Sequence, residues 1–159
     1  MIKKISLLVL GLSISLVTYS QDSKHRISLI TDMDVEYLVQ NQEFGFFGMQ
    51  YQYALTSKQN VSGYIAFKNN GSLLGADYMY DFPILGSTLE FNVGGGVGYY
   101  HYESRTAKYR DLYLAGNLGF TYNFSVKPIS VFAAYKPKVD SAFDPFGPAD
   151  IFIGIGYRF

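Results

Sequence analysis

Residues 150–159 read D-I-F-I-G-I-G-Y-R-F, and this stretch decides the fold. Successive side chains of an extended strand point to opposite sides. One side here is wholly apolar and ends in two aromatic rings: Ile151, Ile153, Ile155, Tyr157 and Phe159. The other side carries Phe152, two glycines and Arg158. We interpret the stretch as a strand of a barrel wall, with hydrocarbon on its apolar side and a tight interior on the other.

The same two-residue alternation recurs along the chain and never gives way to a helical period. It predicts eight strands: Arg26–Tyr37, Gly45–Leu55, Val61–Lys68, Ser72–Phe82, Thr88–Tyr102, Leu112–Phe124, Ile129–Lys136 and Asp150–Phe159. Pro83 and Pro137 are expected to end the strands before them, because proline cannot donate to the ladder. An even number of such segments predicts an all-β fold, an eight-stranded antiparallel up-and-down transmembrane β-barrel.

An even strand count places both termini at the same end of the barrel. With that end in the periplasm, the short connections 56–60, 83–87 and 125–127 are periplasmic. The connections 38–44, 69–71, 103–111 and 137–149 are then external. All of the external connections except 69–71 are longer than the periplasmic ones, as expected for a bacterial outer-membrane barrel.

Residues 1–20 have the pattern of a cleaved secretory signal. Lys3 and Lys4 precede a short apolar run, and small residues follow at 18 and 20. The apolar run is too short to cross a bilayer as a helix. We therefore expect cleavage close to Ser20 and a single barrel domain over 21–159.

Composition narrows the class of protein further. Thirteen Lys and Arg balance 13 Asp and Glu. The chain therefore lacks the excess of basic residues that would indicate a nucleic-acid partner. The chain has no cysteine, which excludes a disulfide framework. Its 15 tyrosines, 13 phenylalanines and 16 glycines suit a barrel with aromatic girdles outside and little room inside.

A soluble exported barrel, such as a lipocalin-like binder, is the rival interpretation. Its polar strand face would then point to water. That face, however, is rich in small residues: Gly48, Ala54, Ala66, Gly94, Gly96, Gly98, Ala115, Gly119, Gly154 and Gly156. Small side chains fit a narrow lumen better than a solvated surface, which favours the membrane barrel.

Ten charged side chains fall on the predicted inward face. They are Arg26, Asp32, Asp34, Glu36, Lys68, Asp77, Asp81, Glu90, Lys136 and Arg158. Eight strands leave a lumen just filled by side chains, so these charges must pair or meet trapped water. We expect a salt-bridged plug, and the alternative is a gated ion path.

Aromatic residues end most strands on the opposite, outward face. They are Tyr53, Tyr80, Phe82, Tyr122, Phe124, Tyr157 and Phe159. Tyr and Phe suit the headgroup level of a membrane, where an apolar body meets a polar boundary. This girdle predicts a location in the membrane and has no catalytic role.

Two segments carry a resemblance to a known family: 154–159, G-I-G-Y-R-F, and 128–137, P-I-S-V-F-A-A-Y-K-P. The chain resembles the small porin-like outer-membrane β-barrels, similar to OmpX and the OmpA barrel. Tyr157 and Phe159 match the C-terminal insertion signal of that family. The resemblance implies a monomer in the bacterial outer membrane, surrounded by outer-membrane lipid and inserted by the barrel-assembly machinery, with external loops free for a surface ligand.

Three classes of function remain open. The first is a structural or surface-interaction barrel without enzymatic activity, cofactor or metal. The second is a narrow conduit for small hydrophobic solutes, suggested by inward Tyr64, Tyr100, Tyr113 and Phe132. The third is a lipid A-modifying enzyme, for which His101, Glu103, Ser104 and Ser141 near the external rim are the candidates. His101 and Ser104 fall on opposite strand faces, so we predict no catalytic residues.

Overall fold

The structure, a computed structural model, describes residues 24–34, 45–68, 70–103, 108–141 and 150–159. The predicted signal sequence, the predicted connection 38–44 and most of the predicted connection 137–149 lie outside these ranges. Within them, no helix is long and apolar enough to cross a membrane.

The described chain is built from antiparallel strands. They are β1 (His25–Asp34), β2 (Phe47–Ala54), β3 (Gln59–Lys68), β4 (Gly71–Pro83), β5 (Leu89–Glu103), β6 (Lys108–Asn123), β7 (Ile129–Lys136), β8 (Lys138–Asp140) and β9 (Asp150–Arg158). Each of β1 to β6 pairs with the strand that follows it, β7 also pairs with β9, and β9 pairs with β1. β8 pairs with β6. The sheet is therefore closed, with β7 and β8 sharing one position in the wall. The prediction of an eight-stranded antiparallel barrel is confirmed.

The seventh strand ends at Lys136, as predicted, but the predicted connection 137–149 is too long, because β8 begins directly after Pro137. β7 and β8 pair with β6 in one register, since Tyr135 lies opposite Leu118 and Lys138 opposite Ala115. The carbonyl of Pro137 still accepts a hydrogen bond from the Gly116 amide at 2.9 Å. Only the donor of Pro137 is lost, so the pairing with β6 resumes directly after it, as β8, and runs to Asp140.

The connection between β5 and β6 is also shorter than the predicted 103–111. β5 runs to Glu103, β6 begins at Lys108, and these two residues pair. Charged side chains hid this part of the hairpin, because an alternation of polar and apolar residues cannot be seen where both faces are polar.

The two faces of the wall have the polarity that was predicted. Along β1, Leu29 is 57% exposed, whereas its neighbours Ser28 and Ile30 are buried. The same alternation along β3 exposes Val61, Ile65 and Phe67. Most of the exposed large hydrophobic side chains therefore lie on the outside of the barrel, and most of the buried polar ones lie inside.

Candidate functional site

The lumen is crossed near its middle by an ion pair between β7 and β4. Lys136 Nζ donates a hydrogen bond to Asp77 Oδ2, and both side chains are almost fully buried. Lys136 Nζ also lies over the rings of Tyr64, at 4.2 Å from the centroid, and Phe152, at 4.7 Å. A carboxylate and two aromatic faces thus compensate for the loss of water around this ammonium group.

Two tyrosines from opposite walls meet beside this pair. The hydroxyl groups of Tyr64 on β3 and Tyr113 on β6 lie 2.9 Å apart and are buried. Glycines make the space that their rings occupy: a Cβ atom at Gly75 would collide with Tyr64, and one at Gly98 would collide with Tyr113. The tyrosine pair and the ion pair together form a crossbar, the name used below for Asp77, Lys136, Tyr64 and Tyr113.

Lys138 is an inward cation that sequence reasoning missed. Its Nζ lies 5.6 Å from the ring centroid of Tyr113 and 5.4 Å from that of Phe152, and its side chain is buried. Lys138 lies two residues after Lys136 and therefore on the same inward face. It was missed because residues 137–149 were predicted to form a connection.

Asp32, on β1, is hydrogen-bonded to the backbone of Phe46, the residue before β2. Its Oδ1 accepts a hydrogen bond from the backbone amide of Phe46 at 2.5 Å, and its own amide donates to the Phe46 carbonyl at 3.1 Å. Phe46 packs edge-on against Tyr100, with ring centroids 5.8 Å apart. This predicted lumen charge therefore accepts a hydrogen bond from the backbone.

A polar network fills the lumen toward the end that carries both termini, called the terminus end below. Asp81 accepts hydrogen bonds from the side-chain amides of Asn60, at 2.7 Å, and Asn92, at 2.8 Å. The Thr121 hydroxyl donates to Asn92 Oδ1 at 2.8 Å. The sequence did not predict Asn60, Asn92 and Thr121 as partners of Asp81, because alternation assigns a side chain to a face but does not show which side chains meet across the lumen.

Two arginines lie opposite each other where the barrel closes. Arg26 on β1 pairs in register with Arg158 on β9, and their like charges repel. Asp81 and Glu90 attract Arg26 across the lumen, which opposes this repulsion. Arg26 also donates to the side chain of Gln52. These contacts bring four of the predicted lumen charges to one level of the barrel.

Each arginine has a further partner. The Arg26 guanidinium lies 5.1 Å from the centroid of the Phe132 ring, and Arg158 donates to the carbonyl of Phe124 at 3.2 Å.

A small polar cavity lies between the crossbar and the arginines. Its volume is about 20 Å³ for the centre of a water molecule, which is room for about one water. Among its lining residues, Gln50, Asn60 and Asn117 each have a buried carbonyl oxygen that accepts no hydrogen bond from the described protein.

The remaining predicted charges lie elsewhere. Lys68 lies at the rim opposite the termini, beside a wide depression that also contains His101 and Glu103. Asp34 pairs through its backbone with Asp150, but its side chain is not among those described. Glu36 lies outside the described residues.

The structure brings two members of the predicted rim constellation together, His101 and Glu103. His101 Nε2 lies 3.9 Å from Glu103 Oε2, and Lys108 Nζ approaches the other Glu103 oxygen at 2.5 Å. Ser141 follows β8 on an exposed turn, and Ser104 lies outside the described residues. Within the described ranges, no group of three His, Asp or Glu side chains could hold a metal ion.

The C-terminal aromatics lie at the terminus end. The Phe159 amide donates to the carbonyl of His25 at 2.9 Å, and the His25 amide donates back at 3.2 Å. The two rings stack with centroids 5.5 Å apart. The aromatic neighbours of His25 also include Tyr51 and Tyr53, and the His25 ring lies 2.7 Å from the Tyr51 hydroxyl. The C-terminus therefore closes the wall and adds to the predicted girdle.

Comparison with known proteins agrees with this architecture. No family model and no curated protein matches the sequence. Among solved structures, the N-terminal β-barrel domain of Pseudomonas aeruginosa OprF is similar at a TM-score of 0.67 and 16% identity, over 87% of this chain and all of that domain.

Two structures of Ail, the attachment invasion locus protein of Yersinia pestis, also match. They have TM-scores of 0.44 and 0.45 and identities of 18% and 17%, over 86% of this chain and 97% of theirs. The second is a complex with the heparin analogue sucrose octasulfate. The fold assignment rests on the OprF domain, the better superposition. This chain therefore has the fold of the small, porin-like outer-membrane β-barrels, as the sequence predicted.

Proposed function

We propose that this chain is a bacterial outer-membrane barrel whose lumen is closed to solutes and whose role is structural or surface interaction. It has no enzymatic activity in this proposal. The outer face of the wall is apolar and the inner face is polar, the reverse of a soluble barrel, and this supports a location in the outer membrane. Exposed Leu29, Leu74 and Leu112 would be costly in water, whereas lipid accommodates them.

The crossbar is the single observation that carries the closed lumen. Asp77 and Lys136 bridge two walls, and the hydroxyl groups of Tyr64 and Tyr113 meet beside them. A solute would have to break a buried ion pair and separate two packed rings. The same contacts argue against the conduit for hydrophobic solutes, because Tyr64 and Tyr113 close the space instead of lining a passage.

Any surface interaction would come from the connections at the rim opposite the termini, with a surface ligand as the partner. The long connections predicted there lie largely outside the described residues. A lipid A-modifying activity has weaker support, since the described rim residues bring His101 only to Glu103. Incubation with lipid A should release no fatty acid, and release that His101→Ala abolishes would establish the enzyme instead.

Planar-bilayer recording tests the closed lumen. We expect the purified, refolded protein to show no steady single-channel conductance. Arg158→Met should lower thermal stability without creating conductance, because it removes the hydrogen bond to the Phe124 carbonyl and the attraction between Arg158 and Glu90. Lys58→Met, in the exposed polar turn between β2 and β3, is the matched control. Steady openings of the unmodified protein, or a conductance that changes with Arg158→Met, would favour the ion path.

A further inference from the structure

An aromatic ribbon crosses the outside of the barrel near the terminus end. Four ring pairs on β4, β5 and β6 form it: Tyr80–Phe82 at 4.7 Å between centroids, Phe82–Phe91 at 6.3 Å, Phe91–Phe120 at 5.2 Å and Tyr122–Phe124 at 5.0 Å. Phe82 and Phe124 are the last aromatic residues before two turns. The ribbon therefore leads directly from the strand wall into these turns.

Both turns continue the apolar surface beyond the ends of the strands. Leu85 is fully exposed at the tip of the turn between β4 and β5, and its neighbour Ile84 is 40% exposed. Val126 is 93% exposed in the turn between β6 and β7. These two tips carry the most exposed large hydrophobic side chains of the described residues, and they do so where no wall position requires an apolar residue.

The first turn pairs its own polar groups and leaves the Leu85 side chain exposed. Gly86 has a φ of 76°, in the left-handed region that favours glycine. The Ser87 amide and hydroxyl both donate to the Ile84 carbonyl, at 3.1 and 2.9 Å. Backbone groups paired in this way lower the cost of approaching the apolar part of a membrane. Leu85 is left as the apex.

The remaining turn at the same end has a different character. Between β2 and β3, Leu55 is followed by Thr56, Ser57 and Lys58, all of which are exposed. The Thr56 hydroxyl accepts from the amides of Lys58 and Gln59, so this turn too is internally bonded. The difference is in the side chains at the tip, which are polar here and apolar in the other two turns.

We propose that the two apolar turns, 84–88 and 124–128, insert into the headgroup region of the adjacent phospholipid leaflet, whereas the turn 55–58 remains in water. This inference rests on the proposed location in a membrane. The two turns are neighbours, since the Asn123 amide donates to the Thr88 carbonyl at 2.8 Å. Lys127, exposed beside Val126, adds a cation suited to lipid phosphate.

Insertion on one side only has a geometric consequence. The apolar surface extends further toward the terminus end along β4, β5 and β6 than at the β2–β3 turn. A barrel that matches this surface to a flat bilayer must sit deeper on that side. The turns would therefore set the tilt of the barrel as well as its depth.

Single-tryptophan fluorescence tests the proposal directly, because the chain contains no tryptophan. The tip variants are Leu85→Trp and Val126→Trp, the polar-turn control is Ser57→Trp, and the mid-wall control is Ile65→Trp. Each is refolded into phosphatidylcholine vesicles, either plain or brominated at shallow or deep acyl positions. Acrylamide serves as the aqueous quencher.

We expect both tip variants to be quenched by the shallow bromines and to emit at shorter wavelength than Ser57→Trp. Their acrylamide quenching constants should be lower by about threefold, as for rings at a membrane interface. Tips quenched by acrylamide as strongly as Ser57→Trp would overturn the proposal. Tips shielded from acrylamide but untouched by bromine would also overturn it, since a protein partner would then cover them.

The mid-wall control separates this inference from the one on which it rests. If Ile65→Trp is not quenched by the deep bromines, the lipid-facing wall itself is wrong. If it is quenched while the tips behave like Ser57→Trp, only the insertion of the turns fails. Should a tryptophan variant not fold, a cysteine carrying an environment-sensitive dye can take the same position, because the chain has no other cysteine.

Discussion

At the scale of single residues, the stability of the lumen depends on how its buried charges are paired. Lys136 and Asp77 are each about as buried as apolar core side chains. Removing one partner of such a pair leaves an uncompensated charge, whereas removing both costs much less. The pair therefore allows a double-mutant test of the crossbar.

We predict that Lys136→Met lowers the free energy of unfolding by about 3–5 kcal/mol. Asp77→Leu together with Lys136→Met should recover a large part of this loss, because no charge then remains buried. Urea titration in lipid vesicles, followed by gel mobility, measures both. The exposed Lys58→Met, in the polar turn 55–58, is the control and should change stability by less than about 0.5 kcal/mol. A double variant no more stable than Lys136→Met would contradict the pairing.

Two glycines give a second test at this scale. A Cβ atom at Gly98 would meet the ring of Tyr113 in the lumen, whereas one at Gly63 would find only the Gly75 carbonyl, 3.9 Å away. We predict that Gly98→Ala costs about 1–3 kcal/mol through overpacking. Gly63→Ala, the matched control on the outer face, should cost less than about 1 kcal/mol. Thermal unfolding monitored by circular dichroism compares them, and equal losses would count against a filled lumen.

At the scale of strands, the sequence predicted the number of wall positions and the direction of each face. Alternation is easily seen where apolar and polar residues take turns, as along β3 and β9. It was missed after Pro137, where β8 keeps the register of β7 with β6, and at Lys108, where both faces are polar. The partners in the lumen could not be predicted, because the pairing of Lys136 with Asp77, 59 residues away, depends on the stagger of the closed sheet.

The closing pair of strands allows a prediction at this scale. Deleting 157–159 removes the hydrogen bonds between Phe159 and His25 and the one from Arg158 to Pro128, each worth about 0.5–1.5 kcal/mol. We expect the truncated chain to lose the folded, heat-modifiable gel band during refolding into detergent without any assembly machinery. Phe159→Ala keeps these backbone bonds and should give an intermediate folded fraction. A truncated chain that folds as fully as the intact one would show that closure does not need this pairing.

At the scale of the whole molecule, the apolar outer surface and the polar interior together determine where the hydrophobic contribution to stability comes from. Among the described residues, the interior has a small apolar cluster, which includes Ile30, Leu73 and Phe152. A soluble barrel would place its large hydrophobic side chains there. This chain places them on the outside. The hydrophobic contribution to stability therefore has to come from contact with surrounding lipid or detergent and not from an internal core.

The last prediction follows from this dependence on the surroundings. A barrel with an apolar band of roughly 25 Å should fold best where the hydrocarbon thickness is similar, since each ångström of mismatch has a modest cost. We therefore expect the folded fraction, measured by heat-modifiable gel mobility, to be highest in vesicles of short-chain phosphatidylcholine and to fall as the acyl chains lengthen. In buffer without lipid or detergent the chain should aggregate. A chain that stays folded and monomeric there would show that Leu29, Leu112 and the rest of the outer surface tolerate water, and the membrane location would fail with it.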